Sequence, residues 1–179
     1  MADDSGSEPG EEVATPRQPE AEMAYGCLVS YSRRQKVIHP TRDRWLRTAS
    51  DLLEDGWNMC VDVTSVDFLS YEGRRQVPAD VATERFEVVA SFVSYEKRER
   101  IRARVQVPAD DATLDSLYSI YPGTDVLERE VYDLMGIEFV GHPDLSRILM
   151  PEHWEGHPLR KDFDTGAIPV QFKGSPASR

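Results

Sequence analysis

His153 and His157 stand at i, i+4, the spacing that on a helix would present two imidazoles to one zinc ion. Pro151, Gly156 and Pro158 bracket the pair, so no helix carries it. No general base sits between the histidines in the metalloprotease pattern, and a third ligand would have to be His142 or Asp144. Imidazoles in ordinary hydrogen bonds are the simpler reading. Glu128, Glu130 and Asp133 form a second cluster. Close carboxylates raise one another's pKa and can divide acid and base roles. Arg129 and Asp133 are at i, i+4, however, so an ion network on a helix surface, or a docking face, accounts for the group with less. The chain has no Gly-rich phosphate loop, no serine in a nucleophile elbow and no cysteine set for an iron–sulfur cluster. Arg147, Arg160 and Lys161, with Asp144 and Asp162, alternate with the apolar Ile148, Leu149, Trp154, Leu159 and Phe163. That mixture suits recognition, with large apolar groups burying area and guanidinium forks fixing register on carboxylates.

The elements that must position these residues follow from periodicity. Tyr25–Tyr31 holds a short apolar stretch compatible with a strand, and His39-Pro40 forces a turn or extended backbone. Trp45, Leu46, Ala49, Leu52 and Leu53 make one apolar stripe, predicting a helix capped by Thr41 and ended by Gly56. Met59, Val61 and Val63 alternate with Cys60, Asp62 and Thr64 in a strand running Trp57 to Leu69. Phe86, Val88, Ala90 and Phe92 share one face of a second strand, and Ile101, Ala103, Val105 and Val107 one face of a third. The turn at 96–100 is too short for a parallel crossover, so those two form an antiparallel hairpin. Asp110 or Asp111 caps a short predicted helix carrying Leu114 and Leu117. A further helix starts at a capping box of Asp125 and Glu128 and lines Leu127, Val131, Leu134 and Met135 on one face before Gly136.

The fold class expected is therefore α+β, a small mostly antiparallel sheet with packed helices. Beyond Gly136 the periodicity stops, with five Gly and five Pro in the last 44 residues. A stretch of that length without structure of its own is best read as an extended C-terminal arm, 137–179, ordered by a partner. The globular domain is placed at 23–136. Residues 1–22 hold seven acids against Arg17, and their Ser, Gly, Pro and Glu composition predicts a disordered acidic tail. The 179 residues suffice for one ordinary core. A net charge of −11 with no long Lys/Arg run argues against nucleic acid and anionic lipid as partners. Cys27 and Cys60 match no metal or redox spacing and are expected as reduced core thiols. With no signal-peptide pattern and no 18-residue apolar run, the chain is expected to stay in the cytosol without a membrane span.

Several segments carry a further resemblance. They are Asp62-Val-Thr-Ser-Val-Asp-Phe-Leu69, Arg85-Phe-Glu-Val-Val89, the basic strand ending at Val107-Pro108, and Glu128-Arg-Glu130 through Asp133 to Gly136. His142-Pro-Asp-Leu145, Arg147-Ile-Leu149 and Gly156-His-Pro-Leu-Arg-Lys-Asp162 continue the series. In that order, from about Thr41 to Asp164, the chain resembles the respiratory complex I 30 kDa subunit family, the C-type subunits of NADH:quinone oxidoreductase. It departs at Val126, where the family usually has Trp, and at Ser146, where it usually has a second Arg. The resemblance implies a non-catalytic subunit of the hydrophilic arm of a proton-translocating complex. That complex uses NADH, FMN, iron–sulfur clusters and a quinone, none of which this chain would bind. The resemblance also implies that the arm wraps the adjacent D-type subunit beside the quinone cavity, on the cytoplasmic side of the cell membrane. The partner interface then comprises Glu128, Arg129, Glu130, Asp133, Gly136, His142, Pro143, Asp144, Arg147, Trp154, Pro158, Leu159, Arg160, Lys161 and Asp162. Two alternatives stand beside it. One is the equivalent subunit of a membrane-bound hydrogenase or of a deazaflavin (F420H2)-dependent quinone oxidoreductase. The other is a free-standing metal enzyme using His142, His153 and His157.

Overall fold

Strict alternation of apolar and polar residues builds the centre of a six-stranded sheet. The structure, a computed structural model, describes residues 21–164 and 166. Most of the expected acidic tail and the end of the C-terminal arm lie outside the described residues. In order, β1 is Met23–Ala24, β2 Cys27–Ser32, β3 Gln35–His39, α1 Trp45–Glu54, β4 Met59–Asp67, β5 Phe86–Ser94 and β6 Glu99–Val107. They are followed by β7 Thr113–Asp115, α2 Asp125–Met135 and β8 Glu138–Val140. The sheet order is β1-β2-β3-β6-β5-β4, antiparallel throughout except for the β3–β6 pair. The fold is thus α+β with a mostly antiparallel sheet, as the periodicity predicts.

Phe86, Val88, Ala90 and Phe92 of β5 and Ile101, Ala103, Val105 and Val107 of β6 all point to the buried face. Trp45, Ala49 and Leu52 of α1 pack on that face, as do Val131 and Met135 of α2. Such dense apolar burial is the main stabilising term for the body. Cys27 and Cys60 are buried free thiols in the same core.

Four local expectations are corrected and one holds. A bulge between Cys60 and Asp62 shifts the β4 register, so Cys60 and Val63 turn inward while Met59 and Val61 are 41% and 42% exposed. The 25–31 segment is a strand, as expected; it is one half of a hairpin whose partner β3 has no clean alternation, with Val37, Ile38 and His39 all buried. Thr113–Asp115 is a strand, not a helix; it pairs parallel with β8 and buries Leu114, while Leu117 is buried just beyond it. Asp125 does not cap α2, whose N-cap is Thr124, and Glu128 turns into the core instead of back to the helix start. The core also continues past Gly136, because Ile137 and Phe139 are fully buried. Gly136 itself has φ +68, the left-handed conformation expected after a helix end.

Candidate partner interface

Asp133 lies on α2 with no exposed side-chain surface. A buried carboxylate has to collect donors, and the chain beyond the body supplies them. Asp133 Oδ2 accepts the N–H groups of Ile148 at 3.1 Å, Leu149 at 2.8 Å and Met150 at 2.8 Å. Its Oδ1 accepts Arg147 Nη1 at 2.6 Å. Three consecutive N–H groups on one oxygen make a concave anion cradle. Burial pushes this carboxyl up, but the Met150 N–H, Arg147 and the Leu149 and Ile148 N–H groups outweigh it and hold it below the usual carboxylate range. Arg147 also donates to Asp133 O at 3.1 Å and to Gly156 O at 3.1 Å, drawing the next loop toward the helix.

A second buried carboxylate repeats the device at the end of β4. Asp67 takes a bidentate fork from Arg85 at 3.0 and 2.8 Å, and accepts the N–H of Leu69 at 2.9 Å and of Lys161 at 2.9 Å. Burial pushes this carboxyl up as well, yet Arg85 and the two N–H groups bring it down to about 2. Arg85 then reaches Asp162 Oδ1 at 2.7 Å. Between the two clamps, Arg160 donates to Met135 O at 2.6 Å and Gly136 O at 3.0 Å, filling carbonyls that the end of α2 leaves open. Leu159 N–H donates to Leu134 O at 3.0 Å beside it.

The strap from Gly141 to Asp164 has turns but no helix or strand, as its Gly and Pro content predicts. The carboxylate that pairs with Arg147 and the carbonyls that accept from Arg160 nevertheless lie in this same chain. The expectation that a neighbour supplies them is corrected, since the Asp133 cradle and the α2 carbonyls do so.

The remaining predicted residues separate into two groups. Glu128 is buried against the β7 side of the core, accepting Ser116 Oγ at 2.5 Å and the Leu117 N–H at 2.7 Å. Burial raises its pKa, against those two bonds. Arg129 does not pair with Asp133; it donates to Ser146 O and Ser146 Oγ, at 3.0 and 2.8 Å, so the predicted helix-surface ion network is absent among the described residues. His142 Nε2 donates to Asp125 O at 3.2 Å while its Nδ1 accepts the Asp144 N–H at 3.1 Å. His157 Nδ1 donates to Asp133 O at 3.0 Å. Each of these rings is committed to backbone, His153 is exposed, and among the described residues no three His, Cys, Asp or Glu groups gather around a metal position. Trp154 is half-buried and stacks on Phe163 with centroids 6.4 Å apart, and Pro158 is half-buried near it in sequence. Glu130, Pro143, Asp144, Leu159, Lys161 and Asp162 face solvent.

Sequence reasoning missed Asp67, Arg85 and Ser116. The signal for Asp67 is a carboxylate at an inward position of a strand, which demands buried donors. Beside the exposed charged groups, the two clamps leave three apolar side chains outside: Ile148, Leu149 and Leu159 are 36%, 59% and 52% exposed around the C-terminal turn of α2. Single exposed leucines are ordinary. Three such side chains on backbone held by the buried carboxylates form the candidate contact patch.

Residues 38–168 match the family described as respiratory-chain NADH dehydrogenase, 30 Kd subunit. The C-type subunit of NADH-quinone oxidoreductase from Saccharopolyspora erythraea is 38% identical over 150 residues, covering 82% of this chain and 56% of the relative. The corresponding protein of Mycobacterium marinum is 37% identical over 159 residues, covering 87% of this chain and 62% of the relative. The chain thus spans about 56 to 62% of the length of these relatives. Among solved structures, the trypsin-resistant fragment (1-134) of Nqo5 is 32% identical with a TM-score of 0.59, covering 67% of this chain and 90% of the fragment. A chain of the membrane-bound sulfane sulfur reductase, an archaeal respiratory membrane complex, shares the fold at 21% identity and a TM-score of 0.63, over 90% of this chain and 91% of that one. By the match over residues 38–168 and these relatives, the chain belongs to the respiratory-chain NADH dehydrogenase 30 kDa subunit family.

Proposed function

We propose that this chain is a cofactor-free, non-catalytic subunit of the hydrophilic arm of a proton-translocating NADH:quinone oxidoreductase. In this reading it docks through its strap on the neighbouring D-type subunit, beside the quinone cavity and on the cytoplasmic side of the membrane. The observation that carries the reading is the pair of buried clamps, Asp133 and Asp67, which spend four backbone N–H groups and two arginines on holding an irregular segment in place. Irregular backbone fixed at that cost, with Ile148, Leu149 and Leu159 turned outward, serves recognition rather than core formation. No helix of the described residues is long and apolar enough to cross a membrane, which fits a peripheral place in a membrane complex.

The test is purification of the tagged chain from its native membranes in mild detergent, with the co-purifying proteins identified by mass spectrometry. Recovery with the D-type and iron–sulfur subunits is expected; a chain recovered alone from intact membranes would refute the assignment. The same sample reads the electron donor. An NADH-oxidising flavin protein in it separates this function from that of the equivalent hydrogenase or deazaflavin-dependent subunit.

A further inference from the structure

One end of the sheet departs from the acidic character of the rest of the chain. The β2–β3 turn carries Arg33 and Arg34, and the β5–β6 turn carries Lys97 and Arg98, followed by Arg100 and Arg102 on β6. Because β3 runs parallel to β6 with Lys36 opposite Ile101, the two turns are side by side, about 5 Å apart across one strand spacing. Arg102 confirms the neighbourhood by donating to Gln35 Oε1 at 3.1 Å. Lys36 pairs with Glu22 and Lys97 with Asp55. Arg33, Arg34, Arg98, Arg100 and Arg102 form no salt bridge among the described residues, and on their own turns and strands they face only Glu96 and Glu99. A polar hollow of about 530 Å³ opens between Arg33, Arg102, Gln35 and Gln76.

Three of these arginines occupy costly backbone. Arg33, Arg34 and Arg98 have φ of 50, 66 and 55, where Asn or Gly is the favoured occupant of a hairpin turn. Long cationic side chains are held there against local preference, which points to a use for the charge.

We propose that the acidic N-terminal segment of this same chain, residues 1–20, seats on this basic end of the sheet. That segment holds Asp3, Asp4, Glu8, Glu11, Glu12 and Glu20 against Arg17. It joins the described chain at the right place, because Glu22 accepts Tyr31 Oη at 3.0 Å and pairs with Lys36 at 3.2 Å. The ten residues from Glu22 back to Glu12 reach at most about 33 Å at full extension, enough to cross from β2 to β6. Tethering raises the effective concentration of the acids at the patch, so modest charge pairs suffice. The seat concerns the free chain and does not depend on which partner the strap takes.

Zero-length carbodiimide coupling, which joins touching carboxylates to lysine amines, tests this on the full chain. The Glu22–Lys36 contact serves as internal control. Lys36 or Lys97 is expected to couple to Glu8, Glu11 or Glu12 within the monomer at low salt, falling roughly fivefold or more in 0.5 M NaCl as charges are screened. Amide exchange at 32–36 and 97–102 should slow in the full chain relative to a chain lacking 1–20. The variant R33N/R34G/R98N puts turn-favoured residues in both hairpins, so it keeps the fold while losing both signals. Coupling confined to Glu22–Lys36 with unchanged exchange, coupling only between copies, or full coupling in the variant would each overturn the proposal.

Discussion

Removing the Asp133 carboxylate strands Arg147 and three consecutive backbone N–H groups, all directed at a side chain with no exposed surface. Breaking a buried pair from one side leaves the other charge uncompensated, at about 3–5 kcal/mol. Asp133→Ala should therefore lower stability by that amount in chemical denaturation and release amide protection at 148–150 before the sheet unfolds. Asp133→Asn retains an acceptor oxygen and should cost less, about 1–3 kcal/mol. Gly136 is the second position where one atom decides. A Cβ there would meet His157 and Arg160 side chains, on backbone at φ +68. Gly136→Ala should destabilise by more than about 1 kcal/mol in the same measurement, because the residue is strained by its φ and displaces the guanidinium that closes α2. Among the predicted interface residues, Glu128 shows why a polar residue near a helix start misleads. The Asp-x-x-Glu spacing at 125–128 has the form of a capping box, yet the decisive fact is Ser116, distant in sequence and invisible to a local pattern.

At the scale of elements, the long strands were legible because apolar residues recurring at every second position over seven residues are hard to produce except by a strand with one buried face, as Phe86 to Phe92 of β5 and Ile101 to Val107 of β6 do. The β4 register was not, since a single-residue bulge at Val61 inverts the inside and outside of everything before it. β7 and β8 are three residues each, too short to show a period, and the Arg33-Arg34 turn lacks the Asn-Gly signature of a two-residue hairpin. The helix α2 was legible in extent, but Asp133 read as a surface ion because the donors that bury it come from the irregular strap. The clamps also set a pH response. The Asp67 carboxyl sits at about 2 against an ordinary 3.8, so its stabilisation is full above about pH 4 and is lost as pH falls through about 2. Glu128 acts in the opposite sense: its raised pKa makes its contribution greatest when protonated and lost as pH rises through the folded value. Followed by NMR, the Lys161 amide resonance should titrate with a midpoint near 2; a midpoint near 3.8 would show that Lys161 is not held by Asp67.

For the molecule as a whole, the strap would change the energetics of the proposed assembly. A segment that folds only on its partner meets its ordering cost at the moment of binding, whereas this one is ordered on its own body from Arg147 to Asp162. Association should accordingly depend on the exposed apolar groups and not on the clamps' own charges. Leu149→Asp, at a side chain 59% exposed, should leave the thermal unfolding midpoint of the free chain within about 1–2 °C while reducing recovery of the proposed D-type partner at least tenfold in the purification above. An unchanged yield would remove Leu149 from the contact.

The bond from Lys161 N–H to Asp67 joins positions 94 residues apart. A ribosome releases β4 long before residue 161 emerges, so Asp67 waits through the making of β5, β6 and α2 for its last donor. The parallel β3–β6 pair imposes a similar delay on the N-terminal hairpin. The Asp67 clamp can therefore close only after α2 has been made, and Leu159, two residues before Lys161, is held outward by the same segment. On the proposed docking, a copy whose strap has not closed would not present Leu149 and Leu159, so completion of the fold and recognition by a partner would be one event.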